Sequence, residues 1–183
     1  MNLWFRLLIC LISARLRAKI RSTRTPSRLT LRAWPSDCDF NLHITNGRYL
    51  SIADLGRIDL MLRTGLARVA VQRKWIPIVS FSSVIYNRQI RIWRRFDLES
   101  TLCYWNEKTS VFRHSFFIRS GSRTGELAAT LLTVASLYDG AAREFVSVER
   151  LMQAVGVQED SPPLTPEIEA LLQAHTTFRA ARA

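Results

Sequence analysis

The sequence has few of the residues that build disulfide, metal or cofactor sites. Its 183 residues include only 3 cysteines and 3 histidines. Cys10, Cys38 and Cys103 lie far apart and form no CxxC pair, which argues against a disulfide framework and a zinc site and favours a reducing compartment. No Gly-rich phosphate-binding loop occurs. We therefore expect a protein that works without a bound metal or cofactor.

Acidic residues are scarce, and the first 32 positions contain none. The whole chain has 26 Lys plus Arg against 15 Asp plus Glu, a formal net charge of +11. Such an excess favours an anionic partner: nucleic acid, an acidic lipid surface, or a phosphorylated ligand such as a coenzyme. With 48% hydrophobic and 22% charged residues, the chain is expected to form one packed domain with a substantial core.

The N-terminal segment, MNLWFRLLICLISARLRAKIR, is apolar but interrupted by Arg6, and its apolar run is too short to span a membrane. It also lacks a convincing small-residue cleavage site. At about 100° per residue, Arg6, Cys10, Ser13, Arg17 and Arg21 fall on one stripe of a helix, and apolar residues cover most of the rest. Two interpretations are equally open: residues 1–21 lie in an anionic membrane surface, or the helix packs on its own domain or a partner subunit. An uncleaved signal anchor is a third.

Hydrophobic periodicity predicts an ordered series of elements after the polar linker STRTPSR. One strand is expected at Leu29–Trp34, a long helix follows from Gly47 to Leu66, and the period then changes to two-residue alternation. The predicted later strands are Ile78–Ile92, Phe96–Trp105, Ser110–Arg119 and Glu126–Tyr138, followed by a helix at Val148–Val155 and another from Pro166, capped by Thr165. Short turns between consecutive strands imply an antiparallel sheet.

The predicted long helix is apolar almost all round, so we expect it to be buried on several sides. A glycine inside a helix lowers its stability, which predicts that Gly56 allows another backbone to come close. Asp54 and Asp59 then need partners, which Arg57 and Arg63 can provide at helical spacing. On a predicted strand, His114 alternates with aromatic residues and is expected in the core.

The most polar stretch, DCDFNLHITNGRYL at positions 37–50, ends where this helix begins. A helix N-terminus presents unpaired N–H groups and partial positive charge, which suits the oxyanion formed when an acyl carbonyl is attacked. A carboxylate a few residues upstream can act as nucleophile or through one water. The alternative is that Asp37, Asp39, Asn41 and Asn46 are only turn-forming and helix-capping residues. For Cys38, a small buried turn residue is favoured over a nucleophile.

The loop followed by a buried helix and antiparallel strands resembles the hotdog-fold acyl-CoA thioesterases, particularly the 4-hydroxybenzoyl-CoA thioesterase-like group. The pattern D-x-N-x-H-x-x-N-x-[RK]-Y is also similar to a stretch of acyl-ACP thioesterases. The resemblance covers about residues 28 to 140 and implies an α+β hotdog fold, an antiparallel sheet wrapped around one central helix. It divides the chain into a basic amphipathic helix and linker (1–27), the hotdog domain (28–140) and a C-terminal helical extension (141–183).

The resemblance also implies roles for individual residues. Asp39 matches the catalytic aspartate, as nucleophile or as the base that activates water. Asn41 and His43 match residues that orient water or assist the carboxylate, and the Asn46 N–H matches the group that polarises the thioester oxygen. Asp54 falls where many members carry a glutamate. Because an aspartate is shorter, this departure puts a direct role for Asp54 in doubt.

The predicted activity is hydrolysis of an acyl-CoA or acyl-ACP thioester to free acid and thiol, as in fatty acid metabolism, with coenzyme A present only as part of the substrate. Arginines between two predicted strands are candidates for its phosphates: Arg88, Arg91, Arg94 and Arg95. A homodimer or larger homo-oligomer is expected, since pairing covers the open sheet edge. We expect a cytoplasmic location, with the inner membrane face as the peripheral alternative.

Two other functions stay open. The chain could be a hotdog protein that binds acyl-CoA or lipid without cleaving it. A nucleic-acid binder ranks last, because no base-stacking pattern accompanies the basic arm.

Overall fold

The computed structural model describes residues 3–157 and 159–181. It contains five α-helices and six strands within these ranges: α1 (Leu3–Leu16), β1 (Ser27–Arg32), α2 (Asn46–Thr64), α3 (Leu66–Arg73), β2 (Trp75–Tyr86), β3 (Arg95–Trp105), β4 (Ser110–Ile118), β5 (Leu127–Asp139), β6 (Glu144–Val146), α4 (Val148–Ala154) and α5 (Pro166–Ala180). A single 3-10 turn spans Pro35–Asp37. None of the described helices combines the length and apolar character needed to cross a bilayer.

The predicted order of one strand, a long helix and a run of antiparallel strands is confirmed, with element ends shifted by one or two residues, as in β1, which was predicted at Leu29–Trp34. Three larger differences occur. The helix α3 and the short strand β6 were not predicted. The strand expected at Ile78–Ile92 is β2, which begins at Trp75 and ends at Tyr86. Residues 90–92 leave the sheet because the Ile90 carbonyl accepts from the Ile44 N–H and the Ile92 N–H donates to the Leu42 carbonyl. They therefore pair with the polar loop.

The strands form one antiparallel sheet in the order β1-β3-β4-β5-β2, with β6 paired to β5. The helix α2 lies against one face of this sheet, and its buried residues share a core with β3, β4 and β5: Tyr49, Ile52, Ala53, Leu55, Phe96, Leu98, Phe116 and Leu131. Strands that alternate inward and outward side chains can cover a helix in this way. The expectation that α2 is buried on several sides is confirmed.

Gly56 lies where α2 packs closely against β3. A Cβ atom added at this position would be 2.2 Å from the Ser100 Oγ and 2.8 Å from the Leu98 Cδ2. Ser100 is itself held by the buried His114, whose Nδ1 lies 2.8 Å from the Ser100 Oγ. The predicted close approach at Gly56 and the core position of His114 are both confirmed.

The two aspartates of α2 have the expected arginine partners. Asp54, on the exposed side, accepts a hydrogen bond of 2.6 Å from Arg57. Asp59 is fully buried and lies 3.7 Å from Arg63. It also pairs with Arg17, beyond the end of α1, and accepts from the Ser27 hydroxyl.

The orientation of α1 is the reverse of an ordinary amphipathic helix packed on a core. Its polar stripe faces the protein, with Arg6 and Cys10 buried, while most of its large apolar side chains face outward. Packing on the domain was one of the two open interpretations, and the structure shows it. The apolar face remains uncovered by the described residues.

The C-terminal part of the chain packs against the same sheet. Val146, Val148, Leu151 and Met152 join a core cluster with Leu60 and Trp75 at the C-terminal end of α2. The helix α5 begins after its N-cap Thr165, as predicted. Its buried residues Ile168 and Leu171 contact Val111, Leu132 and Val134. Because side chains alternate along strands, α5 covers the sheet face opposite α2.

Candidate active site

The polar loop connects the 3-10 turn to α2 and is closed by its own backbone. The Asp39 N–H donates to the His43 carbonyl at 3.1 Å, and the Thr45 N–H donates to the Asp37 carbonyl at 3.0 Å. Leu42 adopts a left-handed conformation with φ 58° at the tip. The loop therefore brings the backbone before Asp39 next to the first residue of α2.

Asp37 anchors this loop from inside the protein. Its side chain is fully buried, and one oxygen accepts from Arg6 of α1 and from the Trp34 N–H. The other oxygen accepts from the Arg48 Nε at 2.8 Å. A buried carboxylate with three donors is a stable structural group. The two acids of the loop thus have different surroundings, and Asp37 has the structural role.

Asp39 is only partly buried, with 26% of its side chain exposed. Its Oδ1 accepts a 2.9 Å hydrogen bond from the Asn41 N–H, which is the turn geometry that the structural alternative predicted. This turn bond uses Oδ1 and does not engage Oδ2, so turn formation by itself does not compete with a chemical role of Oδ2 as nucleophile or base.

His43 lies beside Asp39 without a direct hydrogen bond to it. The His43 Nδ1 is 3.8 Å from the Asp39 Oδ1 and 3.3 Å from the Ile44 carbonyl. In the tautomer that carries a proton on Nδ1, the ring donates to that carbonyl and leaves Nε2 free to accept a proton or bind water. Asn41 is exposed at the same loop. The structure thus brings Asp39, Asn41 and His43 together.

The N-terminus of α2 presents open amide groups next to this loop. Thr45 is the N-cap, and its side chain makes no capping hydrogen bond. The first N–H groups of a helix have no partner inside the helix, so those of Asn46 and Gly47 can bind an oxyanion. A Cβ at Gly47 would have no atom within 4 Å. Sequence reasoning missed Gly47, although a glycine directly after Asn46 was visible in NGRYL.

Asp54 does not belong to this group of residues. It lies eight positions after Asn46, about 12 Å along the helix axis at 1.5 Å per residue. Its carboxylate is 52% exposed and is engaged by Arg57. This position agrees with the doubt raised by its short side chain.

Cys38 precedes Asp39, but its thiol is poorly suited to act as a nucleophile. Burial, followed by the charges of Asp37 and Asp39, raises the pKa of the Cys38 thiol. Because the thiolate is the reactive form, a raised pKa lowers reactivity near neutral pH. The structure supports the interpretation of Cys38 as a turn residue. Within residues 3–157 and 159–181, no set of His, Cys, Asp and Glu side chains is arranged to hold a metal ion.

An arginine-lined cleft opens beside the loop. It measures about 410 Å³ and is lined by Arg91, Arg94 and Arg123 together with the Ser120–Ser122 turn. Arg91 is joined to His43 by a backbone bridge, so the cleft adjoins the loop.

Arg88 lies outside this lining and pairs with Glu126 at 3.3 Å. Arg95 is exposed on β3 and is also not among the lining residues. Sequence reasoning missed Arg123, which lies 28 positions after Arg95 and reaches the cleft only through the β4–β5 turn.

A sheet wrapped around one long helix, with a polar loop at the helix N-terminus, defines the hotdog class of proteins. Solved structures of this class superimpose on the chain. A probable thioesterase, YbaW, from Escherichia coli matches with a TM-score of 0.63 and 16% identity, over 72% of this chain and 96% of that one. The 4-hydroxybenzoyl CoA thioesterase from Pseudomonas sp. strain CBS-3 gives 0.61 and 15% identity, over 70% and 97%. At these identities the matches show the fold.

Residues 33–174 match the model of the Thioesterase-like superfamily, and the chain belongs to that family. Among curated protein sequences, Protein THEM6 from Danio rerio is 25% identical over 161 residues, 87% of this chain and 76% of that protein. Protein THEM6 from Xenopus laevis is 29% identical over 82 residues, 45% and 40% of the two chains. The probable thioesterase YBR096W from Saccharomyces cerevisiae is 27% identical over 100 residues, 54% and 43%. The resemblance to hotdog thioesterases and the α+β fold class are confirmed.

Proposed function

We propose that this protein hydrolyses acyl-CoA thioesters, with Asp39 as nucleophile or general base and the N-terminus of α2 as the oxyanion site. The observation that carries the proposal is the closed loop between them. The Thr45–Asp37 backbone bond at 3.0 Å fixes the start of α2 beside the segment that leads to Asp39. Membership of the thioesterase-like family supports the reaction class.

Two routes use the same residues. In the nucleophilic route, an Asp39 oxygen attacks the thioester carbon and the C–S bond breaks. The thiolate leaves and takes a proton from solvent, and water attacks the Asp39 carbon of the mixed anhydride, which releases the acid and restores the carboxylate. In the general-base route, the carboxylate takes a proton from water, whose oxygen attacks the same carbon, and the proton then passes to the departing sulfur. In both routes the Asn46 and Gly47 N–H groups stabilise the negative oxygen. In a single turnover in heavy-oxygen water, water attack on the Asp39 carbon of the anhydride labels Asp39, and finding that label would establish the nucleophilic route.

Coenzyme A is the proposed carrier because the cleft beside the loop is cationic. Guanidinium groups bind phosphates through paired hydrogen bonds. Arg91 and Arg94, from the predicted set, line this cleft with Arg123. The position of Arg91 next to His43 supports a substrate that extends from the loop into the cleft.

The deciding experiment measures thiol release from a panel of acyl-CoAs by the wild type and by Asp39→Asn. An asparagine at this position keeps an oxygen that can accept from the Asn41 N–H, so the turn is retained. We expect hydrolysis to fall by at least about two orders of magnitude, the effect of removing an acid–base or nucleophilic group. The matched control is Asp160→Asn, an exposed aspartate outside the site, which should keep wild-type activity.

A non-catalytic acyl-CoA or lipid-binding protein is the second candidate. Phe40 and Leu42, which follow Asp39 in the loop, have exposed apolar side chains. They favour a binding protein because they provide apolar contact without chemistry. Acyl-CoA binding by a folded wild type that releases no thiol from any member of the panel would select this function over hydrolysis.

We also propose that the chain is a homodimer. Strand β2 lies at one edge of the sheet and carries apolar side chains that are exposed in the single chain: Ile76, Ile78, Val79, Ile85 and Tyr86. A long apolar edge strand is a surface that a second copy can cover. Sedimentation equilibrium at working concentration should give twice the chain mass, and a monomer would contradict the proposal.

A further inference from the structure

The outward face of α1 carries more exposed large apolar side chains than any other described helix. The exposed apolar residues are Trp4 (75% exposed), Phe5, Leu8, Ile9, Leu11, Ile12 and Leu16 (84%). At about 100° per residue they cover close to half the circumference of the helix. Exposed apolar surface of this continuity marks an interaction site.

Ion pairs on the opposite side fix this orientation. Arg6 pairs with the buried Asp37, and Arg17 pairs with the buried Asp59. Rotating α1 to bury its apolar face would break both ion pairs and leave Asp37 and Asp59 with only their remaining partners, Arg48 and Arg63, which is unfavourable for buried carboxylates. The polar stripe is therefore an attachment surface, and the apolar face is held outward.

Positive charge accompanies the apolar face. Arg15 is exposed and projects from the same side of the helix as Leu8 and Leu11, and Lys19 and Arg21 follow as exposed residues beyond its end. No acidic residue occurs before Asp37. Basic residues at the C-terminal end of an apolar patch complement a surface of anionic headgroups over acyl chains.

We propose that the outward face of α1 binds the surface of an anionic lipid bilayer, with the helix axis in the membrane plane. Because one side of α1 is attached to the protein, the opposite side alone can enter lipid, which sets the in-plane orientation. A second copy is the less suitable occupant: its α1 would bring the same positive charges and no acid to pair with them. The contact between Arg6 and Asp37 holds the loop that carries Asp39 beside the membrane-binding helix.

The test is flotation of the full chain with vesicles of phosphatidylcholine alone or mixed with phosphatidylglycerol. We expect stronger binding to the anionic vesicles, and weaker binding as the salt concentration rises. The double substitution Leu8→Glu/Ile12→Glu should reduce binding at least about 10-fold, because it places charge where acyl chains contact the helix. The matched control Val71→Glu/Leu164→Glu changes two exposed apolar residues elsewhere and should bind as the wild type does.

Charge is tested separately by Arg15→Ala/Lys19→Ala, which should remove most of the preference for anionic vesicles. The control Lys108→Ala/Arg179→Ala removes the same amount of charge from exposed positions outside α1 and should retain the preference for anionic vesicles. The Asp39→Asn variant should bind vesicles like the wild type, so failure of the membrane proposal and failure of the hydrolase proposal are distinguishable. Circular dichroism verifies that each variant is folded.

Three results would overturn the proposal. The first is no binding of the wild type to anionic vesicles. The second is equal binding by Leu8→Glu/Ile12→Glu and its control. The third is a fall in sedimenting mass caused by Leu8→Glu/Ile12→Glu while vesicle binding is unchanged, which would assign the face to a second copy.

Discussion

The guanidinium of Arg6 in α1 donates a hydrogen bond to the buried carboxylate of Asp37, 31 residues along the chain. Asp37 in turn binds Arg48 of α2 at 2.8 Å. One buried carboxylate thus joins the N-terminal helix, the polar loop and the central helix. The loop that carries Asp39 depends for its position on residues that have no chemical part in the proposed reaction.

Removing this carboxylate should destabilise the fold strongly. Asp37→Ala leaves Arg6 buried without its ionic partner, and we expect the free energy of unfolding to fall by about 3–5 kcal/mol. The control Glu144→Ala removes an exposed partner of Arg150, a pair separated by 3.9 Å, and should cost at most about 1 kcal/mol. Urea unfolding followed by tryptophan fluorescence measures both. Equal effects would contradict the structural role of Asp37.

The arginine-lined cleft is expected to contribute to substrate binding. Arg94→Ala and Arg123→Ala each remove a guanidinium from the cleft, so we expect KM for an acyl-CoA to rise about 10-fold, or about 1.4 kcal/mol, with kcat little changed. The same acyl group on pantetheine, which lacks the nucleotide phosphates, should show a much smaller effect. Arg73→Ala, an exposed arginine of α3, is the control. An equal rise in KM for both substrates would contradict phosphate binding in the cleft.

Replacing Gly56 is expected to disturb the packing between α2 and β3. In Gly56→Ala the new methyl group would clash with the side chains of Ser100 and Leu98, so either these side chains must move or α2 and β3 must separate. We expect a loss of about 1–3 kcal/mol of stability, typical of overpacking, even though alanine favours helix. Gly47→Ala in the same helix meets no atom within 4 Å and should be neutral or stabilising. Thermal unfolding of the two variants compares the sites directly.

The buried His114 is expected to make the stability of the fold depend on pH. Burial, with a smaller contribution from the charge of Arg57, lowers the pKa of His114 to about 3. Between this value and its ordinary pKa of about 6.5, the unfolded chain binds a proton that the native protein does not. The stabilising contribution of His114 is therefore fully present above about pH 6.5. As the pH falls from 6.5 towards 3, this residue lowers the free energy of unfolding by up to about 1.4 kcal/mol per pH unit.

The measurement is urea unfolding at pH 7 and pH 4.5 for the wild type and His114→Gln, which can still bond Ser100 but does not titrate. The wild type should lose more stability between the two pH values than His114→Gln does. An identical loss in both proteins would show that the native His114 takes up a proton in this range.

Residues with local signals were predictable from the sequence. The burial of α2 follows from apolar residues on all its sides, and the close approach at Gly56 follows from a glycine in a helix interior. The strands β3, β4 and β5 are visible because alternation is a property of neighbouring residues. The grouping of Asp39, Asn41, His43 and Asn46 is also local, since all four lie in one loop and the first turn of a helix.

Other features depend on contacts between distant segments. The end of β2 at Tyr86 was mispredicted because Ile90 and Ile92 pair with the loop around Leu42. Arg123 joins the cleft through a turn between strands, and its sequence neighbourhood gives no sign of it. Asp37 and Asp39 look alike in the sequence, and burial alone separates a structural acid from an accessible one.

The sequence by itself determined the segments that form α2, β3, β4 and β5, the concentration of hydrogen-bonding groups at the start of α2, and the amphipathic pattern of α1, because each depends on residues within a few positions of one another. The tertiary structure decided which side of α1 faces the protein. That choice depends on two buried carboxylates, Asp37 and Asp59, which lie 31 and 42 positions after their arginine partners and reach them only when the sheet has folded around α2.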